Sequence, residues 1–168
     1  MLRLRPYMPT DAAVVLSWIA DERSFRQWSA DRYDRFPLSP EEMNRHYAQL
    51  AASNRFFPVT AEDENGIAGH MILRFTDENR SVIRFGFVIA DSGRRGKGLG
   101  RTMLDLAVQL AFDEMNAKKV TLGVFENNEP ARRCYRSAGF REVQTNDEEI
   151  YHILGEDWKC LEMEYGVR

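Results

Sequence analysis

The sequence predicts one mixed α/β (α+β) domain, with a mostly antiparallel sheet of about seven strands flanked by about four helices. Three strand-like runs follow one another between residues 55 and 90 with short turns between them, which indicates an antiparallel meander. After residue 98 the apolar residues change to helical spacing, and helix and strand then alternate. A chain of 168 residues has the size of one domain and leaves little room for a second.

Two helices are predicted near the N-terminus, after a first strand over residues 2–7. Either Thr10 or Asp11 is placed to cap the first helix. Ser39 is placed to cap the second, because Pro40 follows in the first helical position and a glutamate stands at the third. The segment between these helices is rich in aromatic residues, and no helix or strand is assigned to it.

The remaining elements are predicted from alternation and helical periodicity. Asn65 and Gly66 are typical of a two-residue type I′ turn, in which both residues have positive φ. A long amphipathic helix is predicted from Leu99 to Ala111. The other predicted elements are strands over 55–63, 67–75, 81–90, 120–125, 140–143 and 159–165, and a helix over 130–138.

The composition disfavours several classes of protein. No apolar run approaches the roughly 20 residues that span a bilayer, and the N-terminus lacks an apolar signal core, so we expect a cytoplasmic protein with no membrane partner. A net charge of −3 is unlike that of a general nucleic-acid-binding protein. Cys134 and Cys160 match no metal-ligand spacing, and His46, His70 and His152 show no zinc spacing, so no metal is expected.

A basic, glycine-rich loop precedes the long helix. Backbone N–H groups and the helix dipole favour an anion at such a junction, and glycines allow the main chain to approach a phosphate closely. Basic side chains add charge-assisted contacts. The loop therefore predicts a phosphate-binding site. It consists of Arg94, Arg95, Gly96, Lys97, Gly98, Leu99, Gly100 and Arg101.

Two common phosphate-binding motifs do not fit this loop. A P-loop requires Ser or Thr after the Gly-Lys pair, but Gly98 stands there. A dinucleotide fingerprint that starts at Gly98 requires a glycine where Met103 stands, and one that starts at Gly96 requires a glycine in place of Arg101.

The pattern Arg-x-x-Gly-x-Gly over residues 95–100 resembles the coenzyme A signature of the GNAT N-acetyltransferase superfamily. Residues 128–140 resemble the family's second signature, Asn-x-x-Ala-x-x-x-Tyr-x-x-x-Gly-Phe, and one helix and one strand separate the two. The resemblance covers residues 85–143 and implies a single N-acetyltransferase domain over residues 1–168. It also implies a splayed pair of strands that holds acetyl-CoA.

The resemblance implies acetyl-CoA as the co-substrate and indicates its contacts. The loop would wrap the pyrophosphate, and the strand before it would bulge near Gly86 and hold the pantetheine arm by main-chain bonds. Asn128 also fits a helix N-cap. The implied cofactor-binding residues are Phe87, Val88, Ile89, Arg94, Arg95, Gly96, Lys97, Gly98, Leu99, Gly100, Arg101, Asn128, Ala131 and Tyr135.

The resemblance also implies catalytic roles. The Tyr135 hydroxyl would protonate the departing thiolate, and an N–H near Val88 would stabilise the oxyanion. Many relatives carry a glutamate two residues before the glycine of this strand, where Arg84 stands here, so the base is left open. Glu126, acting through water, is a reserve candidate for the base, and His70 is a candidate for the cleft wall.

The sequence does not identify the acceptor, which we expect to be a small-molecule amine or a peptide N-terminus. A polyamine, an antibiotic amine, an amino acid and a protein N-terminus stay open, as do a monomer and a homodimer. Two other classes compete with an active enzyme. Arg84 is compatible with an acetyl-CoA-binding regulatory module without turnover, and the glycine-rich loop is compatible with a protein that binds ATP or GTP.

Overall fold

The computed structural model describes residues 1–94 and 96–166. Within them, eight strands form one sheet in the order β1-β2-β3-β4-β5-β8-β6, and β7 pairs with β8 beyond the end of β6. Every pair is antiparallel except β4–β5, which confirms the mixed, mostly antiparallel sheet. The strands are β1 (Arg3–Pro6), β2 (Phe56–Asp63), β3 (Gly66–Phe75), β4 (Val82–Ala90), β5 (Lys119–Phe125), β6 (Phe140–Val143), β7 (Glu149–Ile153) and β8 (Glu156–Tyr165).

Helices cover both faces of this sheet. Consecutive residues of a strand point to opposite faces, and on β3 Ile72 packs with the first three helices while Met71 and Leu73 pack with the fourth. Two apolar cores therefore lie on the two sides of the sheet. The helices are α1 (Asp11–Ser17), α2 (Glu22–Ser29), α3 (Pro40–Ala51), α4 (Leu99–Gln109, followed by a π-helical turn, Leu110–Glu114) and α5 (Glu129–Ser137).

The predicted start of α3 is confirmed, and that of α1 is only partly right. Ser39 Oγ accepts a hydrogen bond from the Glu42 N–H at 3.2 Å, and Pro40 occupies the first turn. Thr10 occupies the N-cap position of α1, but its side chain makes no capping bond. The buried Asp11 carboxylate instead accepts from the Met8 N–H at 2.9 Å and pairs with Arg5.

Two elements lie where none was predicted. Helix α2 fills the aromatic-rich segment, capped by the Asp21 carboxylate, which accepts from the Ser24 N–H at 2.7 Å. Strand β7 forms a hairpin with β8 through Leu154 and Gly155, whose φ values of 52° and 74° are typical of a type I′ turn.

The type I′ turn predicted at Asn65 and Gly66 is wrong. Asp63 pairs with Gly66, so Glu64 and Asn65 are the central residues of the turn. Gly66 has a φ of 108°, whereas Asn65 does not have positive φ. A hairpin whose glycine follows the two central residues is typical of a type I turn with a bulge.

Strands β4 and β5 splay apart, as the sequence predicted. Their parallel pairing ends at Phe85 and Leu122, although β4 continues to Ala90 and β5 to Phe125. On its other edge β4 bulges one residue after Gly86, because Phe87 and Val88 together oppose one residue of β3. Phe87 has a φ of 48°, in the left-handed region. The splay leaves a gap between the two strands.

Candidate functional site

Two cavities adjoin at the gap between β4 and β5. The smaller cavity, of ≈ 290 Å³, reaches α5 and the turn between α1 and α2. The larger cavity, of ≈ 600 Å³, lies among α2, α3, β3 and β7. A molecule in one cavity can therefore contact a molecule in the other at the gap. The residues that line both are Gln27, Trp28, Phe85, Gly86, Phe87, Gly123 and Val124.

The smaller cavity contains six of the predicted site residues. Phe87, Val88 and Ile89 come from the bulged strand, and Asn128, Ala131 and Tyr135 come from the start and the middle of α5. The spacing of four and seven residues in the second motif brings the last three to one face of a helix. These residues of β4 and α5 therefore line one cavity, and their contacts with a cofactor stay predictions.

Tyr135 is the polar side chain best suited to chemistry in the smaller cavity. It is 8% exposed, and its hydroxyl makes no hydrogen bond to another described residue. Burial raises the pKa of Tyr135 above its ordinary value, so the hydroxyl keeps its proton. The Tyr135 O–H is therefore a free donor next to the gap.

Asn128 caps α5 and also lines the smaller cavity. Its side-chain oxygen accepts from the Ala131 N–H at 3.4 Å, which caps α5, and the same residue lines the smaller cavity. The capping bond uses the oxygen alone. The amide N–H₂ of Asn128 is left for a ligand.

The glycine-rich loop lies exposed at the N-terminus of α4. Gly96 and Gly98 have φ values of 80° and 71°, and a Cβ on either would meet nothing within 4 Å. Gly98 is the N-cap residue, so no side chain caps the helix, and its first turn carries no acidic residue. The first backbone N–H groups of α4 are therefore open to an anion, with Lys97 and Arg101 exposed beside them. Arg95, predicted to bind the pyrophosphate, lies outside the described residues.

The described residues of the glycine-rich loop and Glu126 line neither cavity, and Arg94 and Glu126 make contacts elsewhere. The Arg94 guanidinium pairs with Asp63 at the end of β2, and this contact lowers the pKa of the Asp63 carboxyl. Glu126 is exposed, and its backbone oxygen accepts a bond from Arg132 at 3.2 Å. Neither residue lines the gap. Their roles in cofactor binding and catalysis stay predictions.

Arg84, which stands where many relatives carry a glutamate, is held in an ion pair. Its Nη1 lies 2.9 Å from the Glu162 carboxylate and 3.2 Å from Thr121 Oγ1. A Cβ at Gly123 would lie 2.7 Å from Arg84 Nη2, so the glycine gives the guanidinium room to lie across β5. Arg84 therefore forms part of the wall of the larger cavity.

The sequence analysis missed His46, which lines the larger cavity. Its Nδ1 lies 2.8 Å from the Tyr33 hydroxyl, and its ring stands edge-on to Phe87 with centroids 6.4 Å apart. Desolvation, with a smaller effect from Arg32, lowers the pKa of His46, so the ring is neutral at pH 7. The available signal was the helical spacing of His46, which stands three residues after Met43 and four before Leu50.

His70 does not line either cavity, which corrects the expectation for it. It is fully buried, and its Nδ1 lies 2.9 Å from the Val59 carbonyl, which can only accept. Nε2 therefore accepts from the Tyr47 hydroxyl at 2.8 Å. Burial lowers the pKa of His70 to about 4, so the ring is a neutral core residue.

The described residues 1–94 and 96–166 contain no helix long and apolar enough to cross a bilayer. In the same part of the chain, no group of three or more His, Cys, Asp or Glu side chains is arranged to hold a metal ion.

Comparisons with known proteins agree with this architecture. Spermidine N(1)-acetyltransferase of Vibrio cholerae is 29% identical over 124 residues, which cover 74% of this chain and 69% of that protein. Spermine/spermidine N(1)-acetyltransferase of Bacillus subtilis is 36% identical over 63 residues, 36% of this chain and 41% of that protein. The crystal structure of spermidine N-acetyltransferase from Vibrio cholerae in complex with CoA and spermine superimposes with a TM-score of 0.80 at 23% identity, covering 97% of this chain and 94% of that one. The family described as the acetyltransferase (GNAT) domain matches residues 1–141. The chain therefore belongs to the GNAT acetyltransferases, the N-acetyltransferase enzymes whose acyl donor is acetyl-CoA.

Proposed function

We propose that this single domain transfers the acetyl group of acetyl-CoA to a primary amine across the gap between β4 and β5. The pantetheine arm and thioester occupy the smaller cavity, and the amine occupies the larger one. The observation that carries the proposal is the meeting of the two cavities at Gly86 and Phe87, next to the bulge. Reacting groups held in adjoining cavities gain most of their rate from proximity.

The proposed cofactor site extends from the glycine-rich loop to α5. Gly96, Gly98 and the first turn of α4 bind the pyrophosphate through main-chain N–H groups. The β4 residues from Phe87 to Ile89, which have no partner strand on the β5 side, bind the pantetheine arm, and the free amide of Asn128 faces it. The remaining proposed phosphate contacts are those of Arg94, Arg95, Lys97, Leu99, Gly100 and Arg101.

The proposed chemistry is direct attack. The amine lone pair forms a bond to the thioester carbon, and the carbonyl oxygen becomes an oxyanion that accepts from the Val88 N–H at the bulge. Collapse of this intermediate breaks the carbon–sulfur bond. The Tyr135 O–H then gives its proton to the departing CoA thiolate.

His46 acts as the base that accepts the amine proton, a role that the sequence left open. Arg84 is unsuited because it is a cation in an ion pair with Glu162, and the exposed Glu126 lies outside both cavities. In the tautomer that donates from Nδ1 to the Tyr33 oxygen, His46 Nε2 carries a free lone pair for the amine proton. A base on the acceptor side favours an active enzyme over a regulatory module without turnover.

A titration followed by a turnover assay tests this function. Acetyl-CoA is titrated calorimetrically into the protein, with ATP and NAD as controls, and CoA thiol release is then followed with a panel of amines. The panel includes spermidine and spermine because the similar proteins carry those names. We expect micromolar binding selective for acetyl-CoA and CoA release that requires an amine.

The alternatives give different outcomes. Selective acetyl-CoA binding without turnover of any amine would support the regulatory module. Tighter binding of ATP than of acetyl-CoA would support a nucleotide-binding protein.

A further inference from the structure

Two arginines face each other in the wall of the larger cavity. Arg74 on β3 and Arg84 on β4 are register partners in the antiparallel pair, and both line this cavity. Like charges directly opposite each other on one sheet face destabilise the pair. The Glu162 carboxylate neutralises the charge of Arg84 in an ion pair, but Arg74 makes no hydrogen bond or ion pair with any described residue. Arg74 is exposed, so the folded protein keeps at this wall a solvated cation with no carboxylate partner among the described residues.

The other cations near this wall are paired. Arg32 lines the same cavity but lies 3.1 Å from the Asp31 carboxylate, and Glu149 is the one carboxylate among the described residues that line it. Desolvation lowers the pKa of Arg74, and repulsion from Arg84 and Arg32 lowers it further. Glu149 is engaged as the acceptor of the Tyr151 hydroxyl. Arg74 is thus the cation of this wall that is left for an anionic ligand, among the described residues.

We propose that the acceptor carries an oxyanion, a carboxylate or a phosphonate, near its primary amine, and that Arg74 binds this group. The proposal rests on the proposed function and deepens it by naming the class of acceptor. Arg84 stands two residues before Gly86, about 7 Å along the strand. An amino acid or a short aminocarboxylate is shorter than that distance, so the long Arg74 side chain reaches toward the gap to meet the anion of an acceptor whose amine lies there.

Polycations fit this wall poorly. Spermidine and spermine carry positive charge along their whole length and no anion. Their binding would place ammonium groups beside Arg74 and Arg84 without a matching carboxylate. The acceptor that this cavity selects therefore differs in charge from the polyamines in the names of these two relatives.

Matched pairs of acceptors test the proposal. The kcat/KM of CoA release is measured with methionine, phenylalanine and β-alanine, each against its own carboxamide, and with spermidine and spermine. A hydrogen bond between charged partners favours the aminocarboxylates over their neutral amides by roughly 10- to 100-fold. The amides keep the same amine and side chain, so the comparison isolates the anion.

Variants locate the contact. Arg74→Gln is expected to raise KM for the aminocarboxylates and lower their kcat/KM about tenfold or more, while the carboxamides, which offer no charge to Arg74, lose much less. Arg74→Lys retains part of the preference because it keeps the charge but loses the bidentate fork. Arg141→Gln is the control, since Arg141 is exposed on β6 and lines neither cavity.

The failures are distinguishable. Carboxamides or polyamines that react as well as the aminocarboxylates, or a preference that survives Arg74→Gln, would overturn the oxyanion proposal and leave the acetyltransferase intact. Absence of CoA release with every amine would overturn the proposed function, and the oxyanion proposal with it.

Discussion

The two cavities that meet at the splayed strands are built in different ways. The smaller one is lined mainly by local segments, among them residues 85–90 of β4 and the start of α5. The larger one is formed by side chains from separate elements, among them His46 on α3, Arg74 on β3 and Glu149 on β7. A cofactor that every family member shares can be held by backbone geometry, whereas an acceptor that differs between members has to be selected by side chains.

The largest effect is expected on the smaller cavity, from Tyr135→Phe. Removing a general acid lowers kcat by about 10²-fold or more. Acetyl-CoA affinity and stability should hardly change, because the hydroxyl makes no hydrogen bond to another described residue. Steady-state kinetics and an acetyl-CoA titration of the same sample check both statements. An unchanged kcat would remove Tyr135 from the acid role.

The second-largest effect is expected from the buried His70, which should lower the free energy of unfolding as the solution becomes acidic. Its pKa of about 4 in the folded protein lies below the roughly 6.5 of an unfolded histidine. As the pH falls below 6.5, His70 becomes protonated in the unfolded chain but stays neutral in the folded protein. The free energy of unfolding therefore decreases. The loss amounts to roughly 2 to 3 kcal/mol by a pH near 4.5.

Denaturant unfolding near pH 7 and near pH 4.5 measures this loss, with His70→Gln as the variant that lacks the titrating ring. The variant should be less stable near neutrality, because it disturbs the bonds to Tyr47 and Val59, but should lose less on acidification. Equal losses in both proteins would show that other groups cause the acid sensitivity.

His46 faces the cavity instead of the core, so its removal should affect rate. We expect His46→Gln to lower kcat about tenfold or more, and to flatten the fall in activity on the acidic side where the ring is protonated. His152→Gln is the matched control, since His152 is exposed and lines neither cavity. A pH–rate profile that keeps its acidic limb in His46→Gln would exclude the ring as the base.

The sequence predicted the two regions unequally for the same physical reason. The glycine-rich motif and the motif around Tyr135 each lie within one local segment, so the sequence displays each of them whole and the resemblance can be read from it. The ion pair between Arg84 and Glu162 joins residues far apart in the chain. The sequence showed only that Arg84 stands where many relatives carry a glutamate, and it did not show the partner of Arg84. Helix α2 was missed because its aromatic residues were not interpreted as one buried face, although Phe25 and Trp28 lie one turn apart.

The smallest expected effect separates cofactor binding from backbone strain. Gly98 and Gly155 have φ values of 71° and 74°, and a Cβ on either meets nothing within 4 Å. Alanine at either position should therefore destabilise the folded state by a similar amount, roughly 1 to 2 kcal/mol, because of backbone strain. Gly98 begins α4 in the proposed pyrophosphate site, whereas Gly155 lies in the β7–β8 turn. Gly98→Ala should weaken acetyl-CoA binding in calorimetry while Gly155→Ala leaves it unchanged, and equal affinities would place the pyrophosphate away from this helix end.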